Sequence, residues 1–265
     1  MAKINYSATD GVALIELNDP PANTYSYEMM QEIDGAVLAA RMDASVHVIV
    51  ISGTGEKFFC AGANIGMLKD ADPTFKYYFC LHANETMGRL EQTSKLVIAG
   101  LNGHTVGGGL EVAMACDIRI ARQGAGKIGL PEVSLGVLPG TGGTQRLARL
   151  LGKAKAIELM TAGSLLSFEE AHGLGLVTQV WADADLNGRT FRGALIDYAK
   201  QFTPPQRASM AIGHIKRAVQ SGLEMSFADG LALERELQQR LFESHDAREG
   251  IAANLEKRKP HFTGR

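Results

Sequence analysis

The spacing of apolar positions alternates between the periods of strands and helices through the first half of the chain. Residues Ile4 to Asn18 alternate around a Thr9-Asp10-Gly11 turn, which predicts a β-hairpin. Ser26 is a predicted N-cap for a helix that ends near Asp43. Its predicted apolar side comprises Met29, Met30, Ile33, Val37 and Leu38. The β-branched run His47 to Ser52 then predicts a buried strand.

The same order of strand, helix and strand continues further along the chain. Pro73 to Thr93 is predicted to be helical, and Lys95 to Ala99 to be a strand. The predicted apolar side of this helix comprises Phe75, Tyr78, Phe79, His82, Met87 and Leu90. A glycine triplet opens the next predicted helix, which runs through Ala115, and Asp117 to Ala121 follows as a strand. These alternations predict an α/β protein.

The pattern changes after Pro204-Pro205, where no strand signal is found. Two long helical segments, Arg207 to Ser221 and Ser226 to Glu243, are predicted instead. We therefore divide the chain into a core, residues 1–200, that carries the candidate site, and a helical C-terminal region, residues 201–265.

The amino-acid composition excludes several classes of protein for this chain. The chain has 265 residues, 45% of them hydrophobic, enough to form a large core, and its formal net charge is −2. No long Lys/Arg run is present, which argues against binding to nucleic acid or to an anionic membrane. Three scattered cysteines predict neither a disulfide framework nor a zinc site. With no signal-like N-terminus, a cytoplasmic protein without a metal is expected.

The candidate chemistry lies around the glycine triplet Gly107-Gly108-Gly109. Because the triplet precedes a helix, unpaired amides and the positive end of the helix dipole meet there, and Ala61-Gly62-Ala63 offers further amides. Two such donors on one carbonyl oxygen would form an oxyanion hole. Close helix packing and a tight turn explain the glycines equally well.

Two glutamates accompany these amides. Glu111 follows the triplet and Glu132 follows Pro131, and two carboxylates could add or remove water as a general base and a general acid. Glu111 could instead simply stabilise the first turn of its helix, and Glu132 could be a solvated surface residue. His104, just before the triplet, is assigned to the core or surface rather than to the site.

Other motifs are weaker. Gly124 to Gly129 matches the spelling G-x-G-x-x-G, but Leu130-Pro131 follows where a dinucleotide fingerprint requires a helix. No G-x-S-x-G, H-E-x-x-H or C-x-x-C spacing is present. Nucleotide, serine-nucleophile and metal chemistries are therefore not predicted.

Several longer segments together resemble the crotonase, or enoyl-CoA hydratase/isomerase, superfamily over nearly the whole chain. They are Phe59 to Ile65 (FCAGANI), Asn102 to Glu111 (NGHTVGGGLE), Cys116 to Arg119 (CDIR), Gly129 to Glu132 (GLPE) and Leu138 to Leu147 (LPGTGGTQRL). The resemblance implies a spiral of strand-strand-helix repeats followed by a C-terminal helical trimerisation region. It also implies a homo-oligomer, either a trimer or a dimer of trimers.

The resemblance assigns roles to individual residues. It implies that the amides of Ala63 and Gly108 polarise the thioester carbonyl of an acyl-CoA, and that Glu111 and Glu132 form a hydratase acid/base pair. Glu111 would activate water for attack at C3, while Glu132 would handle the proton at C2. CoA, as part of the substrate and not a separate cofactor, would contact Ala22, Ala61, Ala63, Asn64, Ile65 and Gly66.

The chain also departs from the family pattern. Asn64 replaces a frequent aspartate, and Ile128 replaces a usual phenylalanine in a segment that is one residue longer. Residues Met67 to His82, rich in Phe and Tyr, occupy the region that usually forms the wall of the acyl pocket, so an aromatic or a short aliphatic acyl group is compatible with the sequence. Isomerase, decarboxylase or thioester hydrolase activity, and a non-catalytic acyl-CoA-binding subunit, remain the alternatives to hydration.

Overall fold

The computed structural model describes residues 2–265, in ten strands and eleven α-helices. The strands are β1 (Ile4–Thr9), β2 (Val12–Leu17), β3 (Val48–Gly53), β4 (Phe58–Cys60), β5 (Leu96–Leu101), β6 (His104–Val106), β7 (Ile118–Arg122), β8 (Lys127–Gly129), β9 (Leu165–Ser167) and β10 (Gln179–Trp181). The helices are α1 (Tyr27–Met42), α2 (Ile65–Asp70), α3 (Pro73–Gln92), α4 (Gly108–Met114), α5 (Gly143–Leu151), α6 (Lys153–Thr161), α7 (Phe168–Gly173), α8 (Phe191–Lys200), α9 (Ser209–Gly222), α10 (Phe227–Phe242) and α11 (His245–Leu255).

The strands form two sheets. The larger has the order β1-β2-β3-β5-β7-β10, with only β1 and β2 antiparallel, and the smaller has the order β4-β6-β8-β9. Each of the pairs β3/β4, β5/β6 and β7/β8 places its first strand in the larger sheet and its second in the smaller one. A helical segment follows each pair, which confirms the α/β class and its repeated strand-strand-helix units.

Strand β3 shows why the central run of the sequence is continuously apolar. Ile49 and Ile51 face the main core between the sheets and α1, α3 and α4, whereas Val48 and Val50 face a second cluster that includes Leu195 of α8. A parallel strand that is covered on both faces needs apolar residues at every position rather than alternation. The predicted strand is thus confirmed and explained.

The predicted hairpin and first helix are also confirmed. Asp10 and Gly11 adopt positive φ angles of 52° and 82° in a two-residue turn. Ser26 accepts a hydrogen bond from the Met29 amide as the N-cap of α1. The assignment of Leu38 to the buried side is wrong, since this side chain is 38% exposed. Neighbouring residues of an α-helix point in different directions, and it is Val37 that points into the core.

The C-terminal helices dock on the sheet through α9. Lys216 of α9 is 8% exposed, and its Nζ lies 2.9 Å from Asp117 Oδ2 and 2.8 Å from the Leu90 carbonyl oxygen. A Cβ at Gly213 would overlap the Ser94 carbonyl oxygen, so the helix can approach only without a side chain there. Within residues 2–265, no helix has the length and apolarity required to cross a membrane.

Candidate active site

The loop after β4, the end of β6, the start of α4 and the segment 131–141 line a cavity of about 260 Å³ in which most of the predicted site residues meet. Its lining includes Tyr25, Ala61, Gly62, Ala63, Ile65, Leu68, Lys76, Gly107, Gly108, Glu111, Pro131, Glu132, Leu135, Leu138 and Thr141. A larger cleft of about 570 Å³, between β10 and α8, contains none of the predicted residues. The smaller cavity is therefore the candidate active site.

The glycine triplet brings α4 against the smaller sheet. Gly107 has a φ of 58° and donates its amide to the Gly129 carbonyl oxygen of β8. A Cβ at Gly109 would overlap the Cys60 carbonyl oxygen of β4, and one at Gly108 would overlap the Tyr25 hydroxyl. The glycines thus serve close packing, as one of the two sequence interpretations held, and this packing also brings the start of α4 to the cavity.

A second loop lies beside the start of α4. Gly62 has a φ of 91°, and a Cβ on it would lie only 3.0 Å from the Gly108 nitrogen. Within residues 2–265, neither the Ala63 amide nor the Gly108 amide donates to a protein acceptor, and both residues line the cavity. Two neighbouring backbone donors are therefore available to an oxygen atom that enters it.

Glu111 is held rigidly at the bottom of this cavity. It is 2% exposed, and its Oε1 accepts hydrogen bonds from the amides of Thr141 at 2.8 Å and Gly143 at 2.7 Å. Its Oε2 accepts a hydrogen bond from the Thr141 hydroxyl, whose oxygen lies 3.0 Å from the Tyr25 hydroxyl oxygen. All three partners donate, an arrangement suited to a carboxylate.

Glu132 has a different environment. It begins a 3-10 turn, Glu132–Leu135, that ends at Gly136 with a φ of 71°. Its Oε2 is buried and has no hydrogen-bond partner within residues 2–265, so the hydrogen-bonding capacity of this oxygen is unused. Burial raises the pKa of this carboxyl to about 7, and the charge of Glu111 adds to the rise, while its backbone hydrogen bond and Lys76 oppose it.

Sequence reasoning gave no site role to several side chains that line the cavity, among them Tyr25, Lys76 and Thr141. Lys76 is the one cation of the lining, and its Nζ lies 5.2 Å from the ring centroid of Phe79. Lys76 lies in a helix rich in aromatic residues, and the spacing of those residues predicted only a side that packs in the core. Thr141 stood inside a recognised motif, but nothing local to it indicates a contact with a residue thirty positions away.

The predicted CoA-binding residues divide into two groups. Ala61, Ala63 and Ile65 line the cavity. Ala22 lies next to it, where its carbonyl oxygen accepts the Ala61 amide at 3.1 Å. Asn64 caps α2 by accepting the Met67 amide, and Gly66 is exposed in the first turn of that helix. The last three residues are outside the lining, and contact with CoA stays a prediction for all six.

The aromatic segment of α3 does not form the wall in the way the sequence suggested. Tyr77 and Tyr78 are 66% and 61% exposed, and Phe75 and Phe79 are also absent from the cavity lining. The helix is turned so that Lys76 faces the cavity while Phe79 enters the core. From residues Met67 to His82, only Leu68 and Lys76 contribute to the lining.

Two further sequence assignments concern metals and histidine. Within residues 2–265, no cluster of three or more His, Cys, Asp or Glu side chains could hold a metal ion. His104 lies in β6, outside the cavity, where its Nδ1 accepts the Lys127 amide at 3.1 Å and its ring packs on Phe58. It is a structural histidine of the smaller sheet.

Comparison with known proteins gives the class to which this fold and cavity belong. The family model described as enoyl-CoA hydratase/isomerase matches residues 7–265. A probable enoyl-CoA hydratase of Bacillus subtilis is 37% identical over 100% of both chains, and a short-chain-enoyl-CoA hydratase of Clostridium acetobutylicum is 35% identical over 94% of this chain and 92% of its own. A crystal structure of the enoyl-CoA hydratase from Geobacillus kaustophilus superposes with a TM-score of 0.95 at 43% identity, covering 100% of this chain and 98% of that one.

The chain therefore belongs to the enoyl-CoA hydratase/isomerase family and is an enzyme of that kind. The resemblance stated from its motifs is confirmed, as is the crotonase fold.

Proposed function

We propose that this enzyme adds water across the 2,3-double bond of an acyl-CoA thioester. The observation that carries the proposal is the presence of two carboxyl groups with unlike surroundings, Glu111 and Glu132, in one cavity beside the unpaired amides of Ala63 and Gly108. Addition of water to a conjugated thioester requires a base, an acid and a stabiliser of the enolate oxygen, and these groups match the three requirements.

The amides act first. The thioester carbonyl oxygen would accept hydrogen bonds from Ala63 and Gly108, and these bonds would strengthen as the oxygen gains negative charge in the enolate. Each donor of this kind contributes roughly 3 kcal/mol to stabilisation of the transition state. The start of α4 adds the positive end of a helix dipole at the same oxygen.

The carboxyl groups then complete the addition. Glu111, as the carboxylate, takes a proton from water as the water oxygen bonds to C3, and the π electrons move to form the enolate. Glu132, as the neutral acid, gives its proton to C2, and the carbonyl re-forms. A pKa raised to about 7 keeps Glu132 largely protonated below neutral pH, which supports its role as the acid.

The residues that line the cavity indicate which kind of acyl group it suits. Leu68, Leu135 and Leu138 form an apolar surface, which suits an aliphatic chain, and Lys76 adds one cation. Because the aromatic side chains of α3 lie outside the lining, nothing in the cavity favours an aromatic acyl group over an aliphatic one. The name of the Clostridium relative supports trying short chains first.

A panel of acyl-CoA thioesters, followed by mass spectrometry, tests the proposal. We expect a 2-enoyl thioester to gain one water molecule, whereas isomerisation leaves the mass unchanged, decarboxylation loses carbon dioxide and hydrolysis releases free CoA. Glu111→Gln and Glu132→Gln should each nearly abolish hydration while CoA binding, measured by calorimetry, is retained. Full activity in either variant would refute the assigned chemistry.

We extend the proposal to assembly as a homo-oligomer, a trimer or a dimer of trimers. An apolar cleft of about 300 Å³ lies between α9 and α10, and Leu223 and Phe227 beside it are each 81% exposed. Exposed apolar patches of this type are typical of subunit interfaces. Light scattering should give a mass of three or six times 28.4 kDa, and Phe227→Asp should lower that mass.

A further inference from the structure

The Glu111 carboxylate is contacted by a side-chain hydroxyl as well as by backbone amides. Both amide contacts, from Thr141 and Gly143, fall on Oε1, whereas Oε2 has the Thr141 hydroxyl as its hydrogen-bond donor. Thr141 is 2% exposed and lines the cavity. We propose that Thr141 is a positioning residue. The hydroxyl groups of Tyr25 and Thr141 form a hydrogen-bonded chain, here called the relay, that orients Glu111 to take a proton from water.

Proton counting fixes the direction of this relay. A hydroxyl has a single hydrogen to donate, and that of Thr141 is donated to Glu111 Oε2. In the contact of 3.0 Å between the two hydroxyl oxygens, Tyr25 is therefore the donor and Thr141 the acceptor. Each hydroxyl thus donates toward the carboxylate, so the two bonds polarise one another in the same sense.

The first member of the relay remains a donor throughout the working pH range. Tyr25 is 2% exposed, and burial, with the nearby charge of Glu111 adding to it, raises the pKa of its hydroxyl well above the ordinary value. Its ring is stacked on Phe79 at 5.8 Å between centroids, so packing as well as hydrogen bonding holds the hydroxyl. The relay therefore starts from a fixed, neutral group.

The position of the hydroxyl determines what it does for the base. Both amides hold Oε1, so Oε2 is the oxygen with the fewer contacts, and the Thr141 hydroxyl is the donor that prevents rotation of the carboxylate about its last bond. Hydrogen bonds to a carboxylate are shorter and stronger than those between neutral groups, so this contact holds Oε2 firmly. Without it, the carboxylate would be held by one oxygen only. This inference rests on the proposed role of Glu111 in hydration.

Substitutions at Thr141 separate the hydroxyl from the rest of the side chain. Thr141→Val keeps the shape and loses the donor, while Thr141→Ser keeps the donor. We expect Thr141→Val to lower kcat about 10- to 100-fold with KM changed less than about threefold. Thr141→Ser should stay within about threefold of the parent enzyme. Tyr25→Phe should lower kcat less, by about three- to tenfold.

Thr144→Val is the matched control, because Thr144 lies in the same segment and its hydroxyl accepts only from the Gln145 side chain. It should leave kcat and KM unchanged. An unchanged kcat in Thr141→Val would overturn the relay, and so would an equal loss in Thr141→Val and Thr141→Ser. Thermal unfolding of each variant identifies a loss that comes from misfolding.

A readout without turnover separates this inference from the proposed reaction. The carboxylate stretching band of Glu111 can be assigned in the infrared spectrum by its loss in Glu111→Gln. Removing the donor on Oε2 should shift this band in Thr141→Val but not in Thr141→Ser or Thr144→Val. An unshifted band in Thr141→Val would overturn the relay, whichever reaction the enzyme catalyses. Failure of the parent enzyme to hydrate any thioester would instead refute the proposed function.

Discussion

Glu111 and Glu132 line the same cavity, but hydrogen-bond donors contact both oxygens of Glu111, whereas Oε2 of Glu132 is buried without a partner. Burial costs most for an ionised group that lacks donors, and it raises the pKa of Glu132 to about 7. The cavity therefore holds one carboxyl that is fixed by donors and one that retains an unpaired oxygen.

The rate of hydration should depend on the protonation of Glu132. Its pKa is raised to about 7, mainly by burial, and the proposed reaction uses the protonated form. We expect kcat for hydration to fall as the pH rises through about 7, with an apparent value that belongs to the interacting pair. Steady-state rates between about pH 5 and pH 9 test this expectation. A rate that stays level to about pH 9 would contradict the role of Glu132 as the acid.

The same raised pKa should appear in the stability of the protein. Between pH 4.5, the ordinary pKa of the side chain, and about 7, the folded state binds more protons than the unfolded state. Glu132 therefore reduces the free energy of unfolding as the pH rises through this window. Glu132→Gln removes the effect, so relative to the parent enzyme it should gain about 1–2 kcal/mol from pH 4.5 to about pH 8, allowing for the partial exposure of the group.

Urea denaturation at the two pH values measures this difference. Glu85→Gln, on the exposed side of α3, is the control and should show the same pH dependence as the parent enzyme. If Glu132→Gln also follows the parent at both pH values, the carboxyl is not destabilised by its surroundings.

Lys76 should adjust the pH dependence of the enzyme. Its positive charge partly opposes the rise in the pKa of Glu132 that burial and Glu111 cause. Lys76→Met should therefore raise that pKa further and move the high-pH fall in hydration to higher pH. Lys69→Met, at an exposed position of α2, serves as the control. A shift to lower pH in Lys76→Met would contradict this electrostatic role.

Gly108 should tolerate no side chain. A Cβ there would overlap the Tyr25 hydroxyl and displace either that hydroxyl or the Gly108 amide. Gly108→Ala should lower kcat at least about 100-fold, the typical loss when one donor of an oxyanion hole is removed. Gly88→Ala is the contrasting variant, because a Cβ at this position of α3 meets nothing within 4 Å. That variant should retain full activity and gain roughly 0.5–1 kcal/mol of stability.

The buried ion pair of Lys216 with Asp117 should be important for attachment of α9. Lys216→Met leaves the Asp117 charge without its partner, and we expect a loss of roughly 3–5 kcal/mol in the free energy of unfolding. Arg149→Met breaks the exposed pair with Glu224, whose attraction is screened by water, and should cost far less. Chemical denaturation of both variants makes the comparison. Equal losses would show that burial of the Lys216 pair has no special effect.

The elements predicted best from the sequence are those whose signals are local. The hairpin at Asp10-Gly11, the Ser26 cap and the run His47 to Ser52 follow from dihedral preference, side-chain hydrogen bonding and hydrophobic period, each determined by adjacent residues. The short helix α2 was missed because six residues carry too little periodicity.

The candidate site, too, was predicted only where its signals are local in the sequence. Motifs located Glu111, Glu132, Gly108 and the Ala63 loop, since a glycine-rich helix start is visible in sequence. The Thr141 contact with Glu111 is a matter of tertiary packing, which spacing does not encode. For the same reason, the direction of Lys76 into the cavity and of Tyr77 into solvent depended on how α3 is rotated against its neighbours.

Helix α4 carries both a proposed oxyanion-hole donor and the proposed base. Gly108 and Glu111 are three residues apart, so their Cα atoms are separated along the axis by a rise of about 4.5 Å that the regular helix keeps constant. In the proposed reaction, the spacing between the site for C1 and the site for the attacking water would thus be a property of one rigid segment. Changes in Leu135 or Leu138 would then alter the length of acyl chain accepted while the position of attack stays the same.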